Sequence, residues 1–217
     1  MIEATSPQPI DYTLYLVTDR DLMSSATIEE SVDLAIQGGC TVVQLREKTA
    51  DSREFFEMAR RVREVTRSAG VPLIINDRVD IALAIDADGV HVGQRDLPAT
   101  EVRRLIGIDK LLGVSVNDLD QALAAERDGA DYIGVGAMFA TDTKTEADTS
   151  SFEELTAIRS AVEVPIVVIG GINAHTIPLF KNTGIDGIAV VSAIVAQQDP
   201  AAAARHLKAL FAKEVAH

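Results

Sequence analysis

The sequence has little of what several protein classes require. Among its 217 residues there is one cysteine, Cys40, so the chain can form no internal disulfide and offers no cysteine cluster to a metal ion. No Lys or Arg precedes Arg20 and no apolar run opens the chain, so we expect no secretory signal. The longest strongly apolar stretches, such as residues 164–169, are far shorter than the roughly 20 residues that span a bilayer. These absences favour a reducing, cytoplasmic location.

Positive charge is also scarce. Lys and Arg number 20 against 33 Asp and Glu, which gives a formal net charge of −13. Nucleic acids and anionic membranes both attract a clustered positive field, so neither is expected as a partner. The 47 % of hydrophobic and 24 % of charged residues are typical of a folded globular domain, which argues against disorder.

One local pattern recurs along the chain: an amphipathic helix, a glycine, and then a short β-branched run. Glycine tolerates the left-handed conformation that ends many helices, so each glycine predicts a helix end before a strand. Helix starts are predicted where a capping residue precedes Glu by three positions. These pairs are Thr27 with Glu30, Asp51 with Glu54, and Ser150 with Glu153.

The alternation predicts a (β/α)8 barrel, a TIM barrel, in a single compact α/β domain. Strands are expected at residues 14–17, 41–45, 73–75, 89–92, 111–115, 132–135, 166–169 and 187–190, with eight helices between and after them. Most strands are continuous apolar runs, as a parallel sheet buried under helices requires. The alternative, an open dinucleotide-binding sheet, should carry glycines after its first strand, and residues 17–22 contain none. We expect an N-terminal arm at residues 1–12 and the catalytic barrel at residues 13–217.

Chemistry in such barrels is built from the loops after the strands, and strand two ends in a cationic cluster. Gln44, Arg46 and Lys48 alternate along the chain and therefore share one face, which suits an anion. Asp77 and Asp96 follow strands three and four, and such carboxylates suit Mg²⁺ shared with substrate phosphates. The alternatives are a solvated strand end, a helix cap at Asp77 and a turn at Asp96.

The remaining strand ends offer polar groups to a second ligand. Ser115 ends strand five and is predicted to contact a ligand or to cap a helix, with no histidine placed to activate it. Thr141, Thr143 and Lys144 suit phosphate, although such loops are often simply solvated. The glycines at 170 and 171 and the start of a helix at Ser192 predict a phosphate site or, alternatively, only a tight turn.

Other candidates are set aside at this point. His91 is interpreted as a packed core residue, Cys40 likewise, and His175 and His206 fall in helical patterns. The residues alone therefore predict two phosphorylated ligands on one face and a transfer reaction that releases phosphate or diphosphate.

Six segments together resemble the thiamine phosphate synthase family, and the resemblance runs in order from about Tyr15 to Ile194. They are Gln44-Leu45-Arg46-Glu47-Lys48, Asn76-Asp77-Arg78, Gly89-Val90-His91-Val92-Gly93-Gln94, residues 141–144, Ile169-Gly170-Gly171-Ile172 and Val191-Ser192-Ala193-Ile194. The resemblance implies a transferase that joins 4-amino-2-methyl-5-hydroxymethylpyrimidine diphosphate to 4-methyl-5-(2-phosphoethyl)thiazole, or its carboxylate. It also implies Mg²⁺-assisted loss of diphosphate, followed by capture of the pyrimidine carbocation by the thiazole nitrogen.

The resemblance also implies roles for individual residues. Asp77 and Asp96 would hold Mg²⁺. The pyrimidine diphosphate would be bound by Gln44, Arg46, Lys48, Asn76, Ser115 and Lys144, of which Arg46, Ser115 and Lys144 would be catalytic. The thiazole phosphate would be bound by Thr141, Thr143, Gly171, Val191 and Ser192.

The chain departs from the family pattern in one loop. The family usually has Gly-Pro where this chain has Gly136-Ala137, and often proline where Asp142 stands. These changes are expected to alter the rigidity of the loop and its preference for the thiazole substrate. An acidic Asp142 near a phosphate would cost affinity unless its side chain points away.

Three other functions remain open from the sequence. A thiazole tautomerase shares the barrel but binds no diphosphate, so it has no need of the pair Asp77 and Asp96. A non-catalytic barrel could bind a thiamine precursor, and a phosphosugar isomerase would need an acid–base pair that we do not find. The oligomeric state, including a homo-oligomer, is also left open.

Overall fold

The computed structural model describes residues 9–140 and 150–215, and within them eight parallel strands close into one barrel. Neighbouring strands pair in chain order, and the last strand pairs with the first. The strands are β1 Leu14–Val17, β2 Val42–Leu45, β3 Leu73–Asn76, β4 Gly89–Val92, β5 Leu111–Val116, β6 Tyr132–Val135, β7 Ile166–Val168 and β8 Gly187–Val190. The predicted (β/α)8 barrel is confirmed, and each strand lies where the sequence predicts it, within one residue at either end.

The helices surround the barrel, but one of them differs from the prediction. An α-helix follows each of the first six strands, and two more follow β8. They are α1 Ile28–Gln37, α2 Ser52–Ala69, α3 Val79–Ala84, α4 Ala99–Ile106, α5 Leu119–Arg127, α6 Phe152–Ala161, α7 Ser192–Val195 and α8 Pro200–Glu214. After β7 the described residues form only a short 3-10 helix, Ile177–Phe180.

Local hydrogen bonds explain why no α-helix follows β7. The side chain of Asn173 accepts from the backbone N–H of His175, and Thr176 Oγ1 accepts from the backbone N–H of Asn173. Such side-chain bonds to the backbone compete with helical hydrogen bonds. The helical assignment of His175 was therefore wrong, since it lies in a turn, whereas His206 does lie in α8.

Two of the three predicted capping pairs are confirmed and one is shifted. Thr27 Oγ1 accepts from the Glu30 N–H at 3.1 Å, and Asp51 Oδ1 accepts from the Glu54 N–H at 2.9 Å. The cap of α6 is Ser151, not Ser150, because Ser151 Oγ accepts from the backbone N–H three residues on. Ser150 is buried and donates instead to a backbone carbonyl of the β5–α5 loop.

Three aspartates repeat the same contact at the N-terminal end of the barrel. Asp88, Asp131 and Asp186 each stand just before an even-numbered strand and accept a backbone N–H from the start of the preceding strand, at 2.7, 2.7 and 2.8 Å. Each also pairs with an arginine of the helix two positions back. The arginines are Arg63, Arg103 and Arg159, at 2.6, 2.5 and 3.2 Å. This end of the barrel is therefore tied together by charge and hydrogen bonding, which leaves the opposite end for chemistry.

The core has two parts. A large apolar layer lies between the strands and the helices, and a smaller cluster fills the barrel interior. The interior cluster includes the rings of Tyr12, Tyr15 and Tyr132. Tyr12 belongs to the segment predicted as an arm, of which residues 1–8 lie outside the described residues, and it is buried against Tyr132 at the N-terminal end. Among the described helices, none is long and apolar enough to cross a membrane.

Candidate active site

The C-terminal ends of β2 and β3 meet in an ion pair. Lys48 Nζ donates a short hydrogen bond to Asp77 Oδ2, with half of the lysine side chain exposed. Asp77 has a left-handed backbone, with φ of 62°, and its N–H donates to the His91 carbonyl at 2.8 Å. The helix that follows is capped by Arg78 without any side-chain hydrogen bond, so Asp77 is not the helix cap that the sequence left open. Its carboxylate instead faces the cationic end of β2.

Arg46 and its loop form the neighbouring part of the barrel mouth. Arg46 lies 3.8 Å from Asp19 and is 40 % exposed, so its guanidinium remains accessible to an anion. The loop is held by Glu47, a nearly buried carboxylate that pairs with Arg20 at 3.1 Å and accepts hydrogen bonds from Thr49. A small pocket opens here between the loops after β1 and β2. The loop is thus anchored by one carboxylate while its two cations face outward.

The loop after β4 is a compact turn. Asp96 Oδ2 accepts from the Gly93 N–H at 2.8 Å, while the Asp96 N–H donates to the Gly93 carbonyl at 3.1 Å. Gln94 Nε2 donates to the Ser115 carbonyl at 2.8 Å and so links the ends of β4 and β5. The turn that the sequence left open for Asp96 is therefore present, and one oxygen of its carboxylate is engaged in it.

A hydrogen-bonded row of buried side chains crosses the barrel interior and ends at Ser115. Gln44 Nε2 donates to the Tyr15 hydroxyl at 2.9 Å, and the Tyr15 and Tyr132 hydroxyls lie 2.7 Å apart. The Tyr132 hydroxyl lies 3.0 Å from His91 Nδ1, and His91 Nε2 lies 2.8 Å from Ser115 Oγ. The sequence predicted no histidine placed to activate this serine, whereas His91 lies within hydrogen-bonding distance of its hydroxyl.

His91 lies in the core, as the sequence predicted, but both of its ring nitrogens also take part in hydrogen bonds. Burial lowers the pKa of His91 to about 4, although the charge of Asp96 acts in the opposite direction. The imidazole is therefore neutral at neutral pH. Asp118, not Ser115, caps α5, so the serine is not the helix cap that the sequence left open.

The loop after β7 approaches the loop after β6 very closely. Gly171 has φ of 68°, and a Cβ there would lie 2.7 Å from Phe139 Cβ. Gly170 has φ of 96°, and a Cβ there would lie 2.5 Å from Ala137 Cβ. These glycines therefore make the tight turn that the sequence offered as an alternative, and they bring the backbone of two loops together.

After β8, the backbone turns directly into a helix. Val191 is the residue before α7, and Ser192 is its first residue. The first N–H groups of a helix have no partner within the helix, so an anion can accept hydrogen bonds from them. Val191 and Ser192, the predicted phosphate ligands, lie at the start of this helix, and their contact with a phosphate stays a prediction. Thr141, Asp142, Thr143 and Lys144 lie outside the described residues.

The carboxylates of the mouth suit a metal ion that is shared with a ligand. Within residues 9–140 and 150–215, no group of three or more His, Cys, Asp or Glu side chains could hold a metal. Asp77 and Asp96 provide two carboxylates in the loops that follow neighbouring strands, a donor set that Mg²⁺ accepts when water and phosphate oxygens complete its shell. The residues present therefore fit a substrate-shared Mg²⁺.

Comparison with known proteins assigns this barrel to a family. Residues 14–194 match the family described as thiamine monophosphate synthase. The chain belongs to this family. It is 59 % identical over 204 residues to a thiamine-phosphate synthase of Clostridium beijerinckii, covering 94 % of this chain and 98 % of the relative. It is 55 % identical over 202 residues to a thiamine-phosphate synthase of Chloroflexus aurantiacus, covering 93 % of each.

Solved structures agree with the thiamine monophosphate synthase assignment. The thiamine phosphate pyrophosphorylase of Pyrococcus furiosus superposes with a TM-score of 0.86 at 39 % identity, covering 94 % of this chain and 97 % of that one. An N-acetylmannosamine-6-phosphate 2-epimerase from Clostridium perfringens has a TM-score of 0.66 at 16 % identity, which shows the shared fold alone. As a member of the family, this chain is a transferase of thiamine biosynthesis.

Sequence reasoning missed the residues that connect the site to the barrel interior. Tyr15 and Tyr132 were counted only as strand residues, and His91 was set aside. The available signal was chemical: a histidine in the middle of the apolar strand Gly89–Val92 must satisfy its ring nitrogens once it is buried.

Proposed function

We propose that this member of the thiamine monophosphate synthase family condenses 4-amino-2-methyl-5-hydroxymethylpyrimidine diphosphate with 4-methyl-5-(2-phosphoethyl)thiazole, or its carboxylate. In this reaction the pyrimidine methylene C–O bond breaks and diphosphate leaves with the electron pair. The thiazole nitrogen then gives its lone pair to the resulting carbocation, which forms the C–N bond of thiamine phosphate. The observation that carries the proposal is the contact between Lys48 and Asp77 at neighbouring strand ends, where a cation meets a carboxylate that we propose as a ligand of Mg²⁺.

The diphosphate half of the proposed site is the mouth formed by β2, β3 and β4. Arg46 and Lys48 are exposed enough to bind phosphate oxygens. Asn76 is buried at the end of β3, next to Asp77. Mg²⁺ held by Asp77 and Asp96 would neutralise charge that develops on the leaving diphosphate. Since the chain carries a net charge of −13, these few cations must act locally.

The pyrimidine ring is proposed to lie between Gln44 and Ser115. Both side chains belong to the hydrogen-bonded row in the barrel interior, so their polar groups are held in fixed positions. Ser115 stands near the reacting carbon in this arrangement. No step assigns it the role of a nucleophile, because the bond to carbon forms from the thiazole nitrogen.

The thiazole phosphate is proposed to bind at the ends of β7 and β8. Gly171 allows the backbone to approach closely, and the helix that begins at Ser192 supplies N–H groups next to Val191. Thr141 and Thr143 are assigned to this phosphate, and Lys144 to the diphosphate, as implied by family resemblance. The proposed location is the cytoplasm, and the proposed partners are these two small molecules.

The test is direct synthesis of thiamine phosphate from the two purified substrates, with Mg²⁺ and with a chelator. We expect product only with Mg²⁺, and a loss of at least tenfold in Asp77→Asn and Asp96→Asn. Asp80→Asn is the matched control, because Asp80 is exposed, pairs only with Arg78 among the described residues and lies three positions from Asp77. Folded wild-type protein that binds both substrates but makes no product would contradict the proposal.

A further inference from the structure

The hydrogen-bonded row between Gln44 and Ser115 has a direction, and chemistry fixes that direction. Each hydroxyl in the row has one proton to donate. Burial raises the pKa of both Tyr15 and Tyr132, so both phenols stay protonated. Because Gln44 Nε2 donates to the Tyr15 oxygen, the proton of Tyr15 is left to donate to Tyr132.

The direction continues through the histidine. Tyr132 accepts from Tyr15, so its own proton points to His91 Nδ1, 3.0 Å away. A neutral imidazole has one N–H and one lone pair. With Nδ1 accepting, the proton lies on Nε2 and donates to Ser115 Oγ at 2.8 Å. The serine O–H is then left pointing away from the histidine.

We propose that Tyr15, Tyr132 and His91 are positioning residues that hold Ser115 as a hydrogen-bond donor, and Gln44 as an acceptor, toward the same ligand. Within the part of the chain that the structure describes, no further side-chain hydrogen bond engages Gln44 Oε1 or the Ser115 proton. The row therefore leaves one acceptor at one end and one donor at the other. This inference rests on the proposed function, which assigns both ends to the pyrimidine diphosphate.

Packing holds the row in place. Tyr15 and Tyr132 are almost completely buried, and the ring centroids of Tyr132 and His91 lie 5.5 Å apart. Gly113 lies beside their hydrogen bond, where a Cβ would overlap both the Tyr132 hydroxyl and His91 Nδ1. The row thus occupies space that one missing side chain leaves open, and its members have little freedom to rotate.

The direct test is the tautomer of His91, measured by ¹⁵N NMR of protein labelled at histidine. The chain has four histidines, and loss of one set of signals in His91→Gln assigns the buried one. We expect wild-type His91 to carry its proton on Nε2. The opposite orientation of the Gln44 amide would reverse every bond and place the proton on Nδ1, and that result would overturn the proposal.

Three isosteric variants separate a connected row from isolated contacts. Tyr132→Phe removes the donor to Nδ1, and we expect its ¹⁵N signal to shift and the tautomers to mix. Tyr15 makes no hydrogen bond to His91, yet a connected row predicts that Tyr15→Phe also mixes the tautomers of His91. Tyr12→Phe is the matched control, because its ring packs 4.9 Å from that of Tyr132 without joining the row. An unchanged His91 spectrum in Tyr15→Phe would overturn the proposal.

Turnover supplies the second readout. We expect kcat to fall roughly tenfold in Tyr132→Phe, about the value of one oriented hydrogen bond, with the KM for the thiazole phosphate unchanged. Tyr12→Phe should retain wild-type kcat. A kcat in Tyr132→Phe equal to that of the control would overturn the positioning role. If the wild-type protein makes no thiamine phosphate, the proposed function fails, while the NMR result still decides the direction of the row.

Discussion

Lys48 and Asp77 form an ion pair across the ends of β2 and β3, although the two residues are assigned to different ligands. The ammonium is assigned to the diphosphate and the carboxylate to Mg²⁺. The Lys48 ammonium and a metal ion compete for the lone pairs of the same Asp77 carboxylate. The two ligands are therefore expected to depend on each other, because diphosphate that binds Lys48 frees Asp77 for the metal.

This relationship predicts opposite effects of one substitution. In Lys48→Met, we expect Mn²⁺, used as a spectroscopic substitute for Mg²⁺, to bind the protein alone about two- to fivefold more tightly, as the loss of a half-exposed ion pair implies. Binding of the pyrimidine diphosphate should weaken in the same variant. Electron paramagnetic resonance measures the free Mn²⁺, and calorimetry measures the diphosphate.

Lys110→Met is the control for Lys48→Met. Lys110 pairs with Asp86, a carboxylate of the α3–β4 connection at the other end of the barrel. Neither Mn²⁺ nor diphosphate binding should change there. Weaker Mn²⁺ binding in Lys48→Met would show that the lysine does not compete with the metal.

The second prediction concerns the aspartates at the N-terminal end of the barrel. Asp88→Ala removes the acceptor of the Leu73 N–H and leaves Arg63, which is 19 % exposed, without its carboxylate. Such a loss at a partly buried site is expected to lower the free energy of unfolding by about 1–3 kcal/mol. Urea denaturation measures it, with turnover of the residual folded enzyme unchanged.

Glu57→Ala serves as the comparison for Asp88→Ala. Glu57 pairs with Arg60 one helical turn away at 3.5 Å, and both side chains are about half exposed. Such pairs contribute little, so the change should stay within about 0.5 kcal/mol. Equal effects in the two variants would show that the repeated aspartate contact has no special structural role.

The third prediction is a pH dependence of stability. Burial raises the pKa of Cys40 to about 12, whereas an unfolded thiol ionises near 8.5. The folded state thus keeps a proton that the unfolded state releases, so stability is full below about pH 8.5 and falls as the pH rises toward 12. By pH 10, ionisation of this thiol in the unfolded state should lower the free energy of unfolding by about 2 kcal/mol.

Cys40→Ala isolates this contribution. The difference in unfolding free energy between wild type and variant should narrow as the pH rises from 8 to 10, measured by urea titration at each pH. Buried tyrosines act in the same direction, but they are common to both proteins. A constant difference over this range would mean that the folded thiol ionises normally.

The barrel could be predicted from the sequence because its signals are local. A glycine or a capping residue marks the end of an element within a few positions. Thr27 marks the start of α1 and Gly70 marks the end of α2 in this way. Segment 173–176 escaped prediction because Asn173 and Thr176 bond to nearby backbone, and composition alone does not show which polar residues do so. The shift from Ser150 to Ser151 has the same origin, since adjacent serines have identical capping chemistry.

The site could be predicted only as a set of strand ends. His91 and Ser115 are 24 positions apart and meet because β4 pairs with β5 in a register that places His91 beside Gly113. That register depends on how the barrel closes, which no local pattern encodes. The ion pair of Lys48 with Asp77 depends on the same closure. The sequence could therefore predict the binding residues only by residue type, and the hydrogen-bond partners of those residues could be known only from the fold.

The fourth prediction concerns Gly113, whose missing side chain makes room for the contact between Tyr132 and His91. In Gly113→Ala the new methyl group would overlap both polar atoms, and overpacking of this kind lowers stability by about 1–3 kcal/mol. Gly134→Ala is the matched control, because its Cβ would lie 3.2 Å from His91 Cε1 and meet no member of a hydrogen bond that closely. Chemical denaturation and the His91 ¹⁵N spectrum should both change more in Gly113→Ala. If the two variants behave alike, the space that Gly113 leaves beside Tyr132 is not what holds the row together. A methyl group near Cε1 of the His91 ring would then disturb the row as much as one placed beside the hydrogen bond of that ring to Tyr132.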